Sequence, residues 1–406
     1  MLRAQLFFLI LCISSISFGQ ERDSISIKNG IEKPSLLSTH HFGMFSARIN
    51  QNFKITPPKR TSFRFSMESG NNFHPFVETY LPKDEAVRQQ LSQVVWYNRR
   101  FTFVDQATTP ADYMNIVIDA VYKGFRFDLN TKLSNSHELG ITLRTYLVTK
   151  GNYPFSPFTS DESLEWFHSN IAGGEDPFGR KFYGLNQVNV KYTDRNGRVM
   201  ELQNGDFIFS GIEFNHFYYP ESLSNSEKNI HVNFGTHMGV NTSKFNPSID
   251  FGVSSNVIKK WSLKNNNELR FGFGLSALRK NLIDFKEVVD FGNNKFLGSL
   301  ESMIEFTKYT AKGNHHSFGI NYQFQTRYNK KAEASYYYLI GQWSEIHSGW
   351  QNGIEKLYQN LSSWNFIYTY GRPKYQVSIY LKEDLRLNNA PDVQTGVSIK
   401  FPIKSF

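Results

Sequence analysis

Cysteine is nearly missing from this chain: Cys12 is the only one. It lies in an apolar stretch close to the start, so the rest of the chain holds no disulfide and no thiolate metal site. Long apolar runs are missing as well. After Ile13 nothing approaches the roughly 18 apolar residues that a membrane-crossing helix needs. Runs of five or six basic residues are also missing, although the net charge is +9 and the pI is about 9.3. Dispersed charge of this kind gives no basic patch, which argues against a nucleic-acid partner. If a membrane holds this chain, it does so with a closed β-barrel, because lipid leaves no backbone polar group unpaired.

What is present begins with a secretory pattern. Arg3 supplies the positive region, Leu6–Ile13 the apolar region, and Ser17, Phe18 and Gly19 a small-x-small cleavage site before Gln20. Leu11 before Cys12 is not the small residue that lipidation requires. Residues 1–19 therefore read as a cleaved signal peptide, 20–41 as a polar leader and 42–406 as the main body.

That body alternates. Phe125, Phe127, Leu129, Thr131 and Leu133 take one face of a strand, and Arg126, Asp128, Asn130 and Lys132 take the other. A short turn leads to Leu139, Ile141, Leu143, Thr145 and Leu147, interleaved with Gly140, Thr142, Arg144 and Tyr146. The same period recurs at 61–70, 206–218, 229–240, 247–258, 268–278, 295–307, 317–327, 334–343, 363–370, 375–382 and 393–401. A further strand is expected near Met44–Phe53. The expected fold is an all-β, transmembrane, antiparallel up-and-down barrel of about 12–14 strands. With 37 Phe and 21 Tyr in a chain only 40% hydrophobic, one face suits lipid and aromatic girdles while the other stays polar. A soluble barrel of this size would show water the opposite wall.

Three stretches break the pattern. Glu21–His41 is polar. Phe76–Ala107 contains a short helix opened by Pro82. Gly151–Leu185 is a long loop, rich in Phe, Trp, Pro and Gly, expected over or into the barrel mouth as a constriction; loops this long are usually functional or disordered.

The chemistry-bearing residues are few. Glu165 and His168 share one face of a helical turn, beside Trp166; an ion pair ordering the loop outweighs an acid/base pair. His315 and His316, adjacent on a strand, point to opposite faces and make poor metal partners. Arg126, Asp128, Lys132 and Arg144 are candidates to face the lumen. Glu383, Asp384 and Asp392 flank the last turn, where they suit a charged turn or recognition by barrel-assembly machinery. Phe401 ends the last strand in phase, with Lys404–Phe406 as a tail. No catalytic residue, metal site or cofactor is expected.

Two stretches carry a resemblance. One is Ser163–Arg180, SLEWFHSNIAGGEDPFGR, and the other is KEDLRLNNAPDVQTGVSIKF near the end. Both resemble an uncharacterised family, a domain of unknown function, of Gram-negative outer-membrane β-barrel proteins. Its acidic-aromatic-His segment matches Glu165, Trp166 and His168. Its Gly-Gly stretch ending in Arg matches Gly173, Gly174 and Arg180, here spread by the insertion EDPF. Its terminal pattern matches Glu383, Asp384 and Ala390 to Val393. The resemblance implies a fold and a location and supplies no activity.

The expected role is a channel or transporter for small solutes in the outer membrane, not an enzyme. Its expected partners are outer-membrane lipid, lipopolysaccharide, the barrel-assembly machinery and an unspecified solute. The alternatives are a lipid-modifying hydrolase using His168 and Glu165, and a structural or assembly barrel without a pore.

Overall fold

The computed structural model describes residues 28–34, 41–74, 115–151, 158–172, 184–194, 198–310, 313–330, 360–383 and 393–403. Fourteen strands form one antiparallel sheet, and twelve of them close on themselves. The ring runs β1 (Ser62–His74), β2 (Asn115–Lys132), β3 (His137–Thr149), β6 (Phe207–Tyr218), β7 (Ile230–Asn241), β8 (Ser248–Leu263), β9 (Asn267–Asp284), β10 (Phe296–Tyr309), β11 (His315–Gln325), β12 (Leu361–Arg372), β13 (Tyr375–Glu383) and β14 (Val393–Pro402). β1 pairs with both β2 and β14, which closes the ring and leaves no open edge in the membrane. The other two strands, β4 (Asn189–Thr193) and β5 (Val199–Leu202), form a hairpin beyond the wall, where β4 continues along the upper end of β2.

The alternation read from the sequence sets the register. Phe127 faces Leu143 across β2 and β3, and Arg126 faces Arg144. Odd residues of β1, β2 and β3 point outward and even ones inward. Phe63, Phe65 and Phe127 pack together on the outside of β1 and β2, and Phe401 joins them from β14. Rings of Tyr, His and Trp gather at both ends, such as His316 with Tyr368 and Tyr370 and Tyr322 with Trp364. These are interfacial girdles. Short connections at one end (133–136, 264–266, 373–374) contrast with long ones at the other (75–114, 150–206, 326–360), which orients the short end to the periplasm.

Two expected strands are not among the described strands of the wall. The stretch 334–343 lies outside the described residues, and β11 pairs directly with β12. Met44–Phe53 is described and is not a strand: a 3-10 turn at Gly43–Phe45 leads into an extended path inside the barrel. Residues 28–34 also run inside, and Ile31 N–H donates to Phe53 O at 3.0 Å, tying the two inner passes together. The wall makes room for them. A Cβ on Gly272 of β9 would meet the Phe53 ring at 2.7 Å, and one on Gly239 of β7 would collide with Ala47.

Gly272→Leu should therefore lower stability in detergent by about 1–3 kcal/mol through overpacking, read by urea unfolding. The lipid-facing Thr236→Leu should cost nothing measurable. Equal effects from the two would contradict the inner course of the segment.

Candidate functional site: the occluded lumen

Charge holds the inner segment along its periplasmic part. On the periplasmic side Lys28 pairs with Glu305 at 2.7 Å, and Lys400 and Arg64 reach Glu32 at 2.9 and 3.0 Å. Lys33 pairs with Glu301, and Lys54 with Glu138. Tyr219, just after β6, donates to Glu138 at 2.6 Å. Burial, then the Glu138 carboxylate beside it, raises that phenol well above its usual range.

The backbone of the segment has no ladder of its own, so wall side chains satisfy it. Arg270 donates to Gly30 O at 2.8 Å, Asn233 to Asn52 O at 2.9 Å, and Arg144 to Ser46 O at 2.7 Å. Asp250 accepts from Ala47 N–H at 2.8 Å, and Glu213 from Arg48 N–H at 3.1 Å. The Arg48 guanidinium reaches Gln323 at 2.6 Å.

Above this polar stretch the outer mouth is apolar. Phe42, Met44 and Phe45 meet Phe245 and Phe291 from the wall loops, and Val190, Tyr192, Met200 and Leu202 from the β4–β5 hairpin. Phe42 and Phe291 stack at 4.5 Å. Tyr328, from the loop after β11, is buried here, and burial raises its phenol above the usual range. Two cavities beside the segment measure about 50 and 110 Å³. At roughly 30 Å³ per water, they have room for a few waters each.

Of the lumen candidates, Arg126, Asp128 and Arg144 lie on the inward face. Arg144 is fully buried, 2.9 Å from Glu213; Arg126 lies 4.0 Å from the same carboxylate. Asp128 accepts from Thr142 at 2.6 Å. Lys132 instead bonds Asn135 in the exposed turn after β2. Glu383 ends β13, while Asp384, Asp392, Gly173, Gly174 and Arg180 lie outside the described residues. So do the expected helix of 76–107 and the tail after Ile403.

The long loop departs from its expected place. A helix, α1 (Asp161–Phe167), opens at Ser160, whose hydroxyl accepts from Ser163 N–H, and runs on as a π turn through His168–Ala172. Glu165 and His168 do share a face, but Oε1 and Nδ1 stand 3.9 Å apart. The segment is anchored to the outside of the wall. Thr159 bonds Ser69 at 2.5 Å, and Asn71 bonds Thr159 O and Asp161 at 3.0 and 2.8 Å. Ser69 also accepts from Lys123 at 2.7 Å. All three wall residues point outward near the upper rim, where bare polar groups would otherwise face lipid. Residues 158–172 therefore lie on the flank of β1 and β2 and do not constrict the lumen. Phe158, Trp166, Phe167 and Ile171 are exposed there, as in a helix lying in the membrane interface.

Sequence reasoning missed both the inner segment and the flank anchor. The available signal for the second was Ser69, Asn71 and Lys123, polar residues in the phase that otherwise meets lipid.

Two outcomes follow. Arg144→Met strands Glu213 in the lumen and should cost about 3–5 kcal/mol, read by urea unfolding; a loss below about 1 kcal/mol would contradict the arrangement. A variant keeping Trp166 as its sole tryptophan should be strongly quenched by lipids brominated high on the acyl chain. Quenching by aqueous iodide alone would place α1 at the mouth.

No family model matches the chain, and no curated protein matches it. Solved structures similar to it include LpxR from Salmonella typhimurium, at 8% identity and TM-score 0.37, covering 84% of this chain and 100% of that one. The β domain of the Bordetella autotransporter BrkA gives 8% identity and TM-score 0.36, covering 85% and 99%. The toluene transporter TodX from P. putida gives 7% identity and TM-score 0.31, covering 86% and 91%. Scores this low bear on neither role nor mechanism. The closed ring, the apolar outer face and the aromatic girdles of the chain itself make it an outer-membrane β-barrel, with its lumen filled by its own N-terminal part.

Proposed function

We propose that this barrel is a gated conduit for small solutes, closed at rest by residues 28–34 and 41–56. The supporting observation is the chemistry of the contact between segment and wall. It is made largely of ion pairs and side-chain-to-backbone hydrogen bonds, such as Lys28–Glu305, Lys33–Glu301 and Arg270 to Gly30 O. Buried ion pairs add little net stability over apolar contacts of the same shape. What they do provide is a pair of surfaces that both accept water once separated. A segment meant to stay would be as stable with an apolar seam, while an apolar seam would leave a movable segment and its lumen greasy. In this reading the chain is a conduit and not an enzyme, and the flank helix anchors the barrel in the interface.

One observation favours a second reading, a structural barrel without a passage. The cluster of Phe42, Phe45, Tyr192 and Phe291 at the outer mouth is apolar and well packed, so opening must also separate these rings.

Planar-bilayer recording decides between them. The intact chain should be silent with brief openings. Glu301→Gln with Glu305→Gln should raise the open probability severalfold, and a refolded chain lacking residues 20–56 should conduct steadily. Silence of the refolded, truncated barrel would leave the structural reading. Steady conductance of the intact chain, equal to that of the truncated barrel, would contradict closure by the segment.

A further inference from the structure

A second site lies outside the lumen seal, at the extracellular lip. Between the β9–β10 loop, Arg198 just before β5 and the start of the loop after β11 is a cavity of about 350 Å³. Lys280, Lys286, Lys295, Lys330 and Arg198 line it, from three separate stretches of chain. The carboxylates that also line it are engaged. Glu287 pairs with Arg198 at 2.9 Å, Asp284 accepts from Asn281 at 2.6 Å, and Asp290 accepts from Gly292 N–H at 2.9 Å.

Lys280 is the unusual member. It is 1% exposed, and its ammonium has no hydrogen-bond partner among the described residues. Its contact is the face of Tyr328, 3.5 Å from the ring centroid, an attraction weaker than a full ion pair. The charges acting on it are Asp250 and Lys330. Asp250 is already taken by the N–H groups of Ala47 and Asn281 and by the amide of Asn241, at 2.8, 2.7 and 2.7 Å. Lys330 adds repulsion. A buried ammonium with no anion is costly, and a neighbouring cation raises that cost. An anion entering the cavity would relieve both.

We infer that this cavity binds a phosphate group carried by a small water-soluble ligand, with Lys280 and Lys330 as its principal contacts. Several lysines converging from different segments suit a tetrahedral anion approached from several sides, since each is a point charge without the planar fork that favours carboxylates. Asn294 also lines the cavity; its NH2 is held by the carbonyls of Arg327 and Asn329 at 2.9 and 2.7 Å, which leaves its amide oxygen for the rest of such a ligand. The site goes beyond the conduit reading and does not depend on it, because binding requires no passage.

Calorimetric titration of the full mature chain in neutral-detergent micelles at low salt tests this, with inorganic phosphate, glucose 6-phosphate and glucose as probes. Both phosphates should bind saturably and glucose should not. Lys280→Met should weaken phosphate binding at least tenfold. Lys330→Met, a change at the cavity surface that leaves the buried site intact, should weaken it severalfold and so guards against a folding defect in the first variant. Absence of phosphate binding by the wild type, or binding by both variants as tight as the wild type's, would overturn the site. Binding of phosphatidic acid doped into the micelles, without binding of either soluble phosphate, would overturn the soluble source and assign the cavity to lipid headgroups. Since conductance is not measured, a failed conduit reading leaves this outcome untouched.

Discussion

A wall of twelve strands encloses more space than its own inward side chains fill, and its inward face is polar. Buried polar groups must find partners, and in this barrel many of those partners come from one stretch of chain that never joins the sheet. Glu305, Glu301, Glu138 and Glu213 face inward from three different strands, and Lys28, Lys33, Lys54 and the Arg48 backbone N–H answer them. The exchange is mutual. Arg64, Arg144, Arg270 and Asn233 supply donors to a segment that has almost no backbone pairing of its own. Small residues at Gly239 and Gly272 give it space. The lumen is thus two complementary polar surfaces, neither of which is satisfied alone.

The same rule explains the outer flank. A polar side chain in the lipid-facing phase needs cover, and Ser69, Asn71 and Lys123 receive it from Thr159, Asp161 and one another. The covering segment then presents Phe158, Trp166 and Phe167 outward, restoring an apolar surface one layer further out. At the mouth the solution differs. Rings from the inner segment, the wall loops and the β4–β5 hairpin exclude water, while the charged lip just outside them keeps it. Polar interior, dry cap and basic lip follow one another along the axis, and each sits where its solvent or partner is.

Much of the wall was legible in the sequence, because period two is enforced wherever one face meets lipid and the other does not. Phe125–Leu133 and Leu139–Leu147 pair in the register that their alternation implies, Phe127 against Leu143. Asp206–Tyr218 and Tyr375–Lys382 hold equally well as β6 and β13. Met44–Phe53 misled for a physical reason. Inside a barrel both sides of a segment meet protein, so its polarity reports the wall opposite and not its own conformation. Ser46, Ala47 and Asn52 satisfy their backbone groups with Arg144, Asp250 and Asn233, not with a neighbouring strand, and no local pattern encodes that. The helical spacing of Glu165 and His168 was readable; the side of the wall on which the helix lies was not, since it depends on Ser69 and Asn71, roughly ninety residues earlier in the chain. Lys280 carried no signal at all, because a lysine in the inward phase of a strand normally finds an acid.

The satisfaction of the wall's inward charges rests on the segment's position in the lumen. With Cys12 the only native cysteine, and within the apolar start, single cysteines give a clean reading. Ser46→Cys and Gln51→Cys, at positions buried to 3% exposure, should resist a bulky maleimide in the folded barrel and react fully in urea. Ser134→Cys, in the exposed turn after β2, should react at once in both. Reaction at positions 46 and 51 in the folded barrel, as fast as at 134, would contradict the segment's place in the lumen.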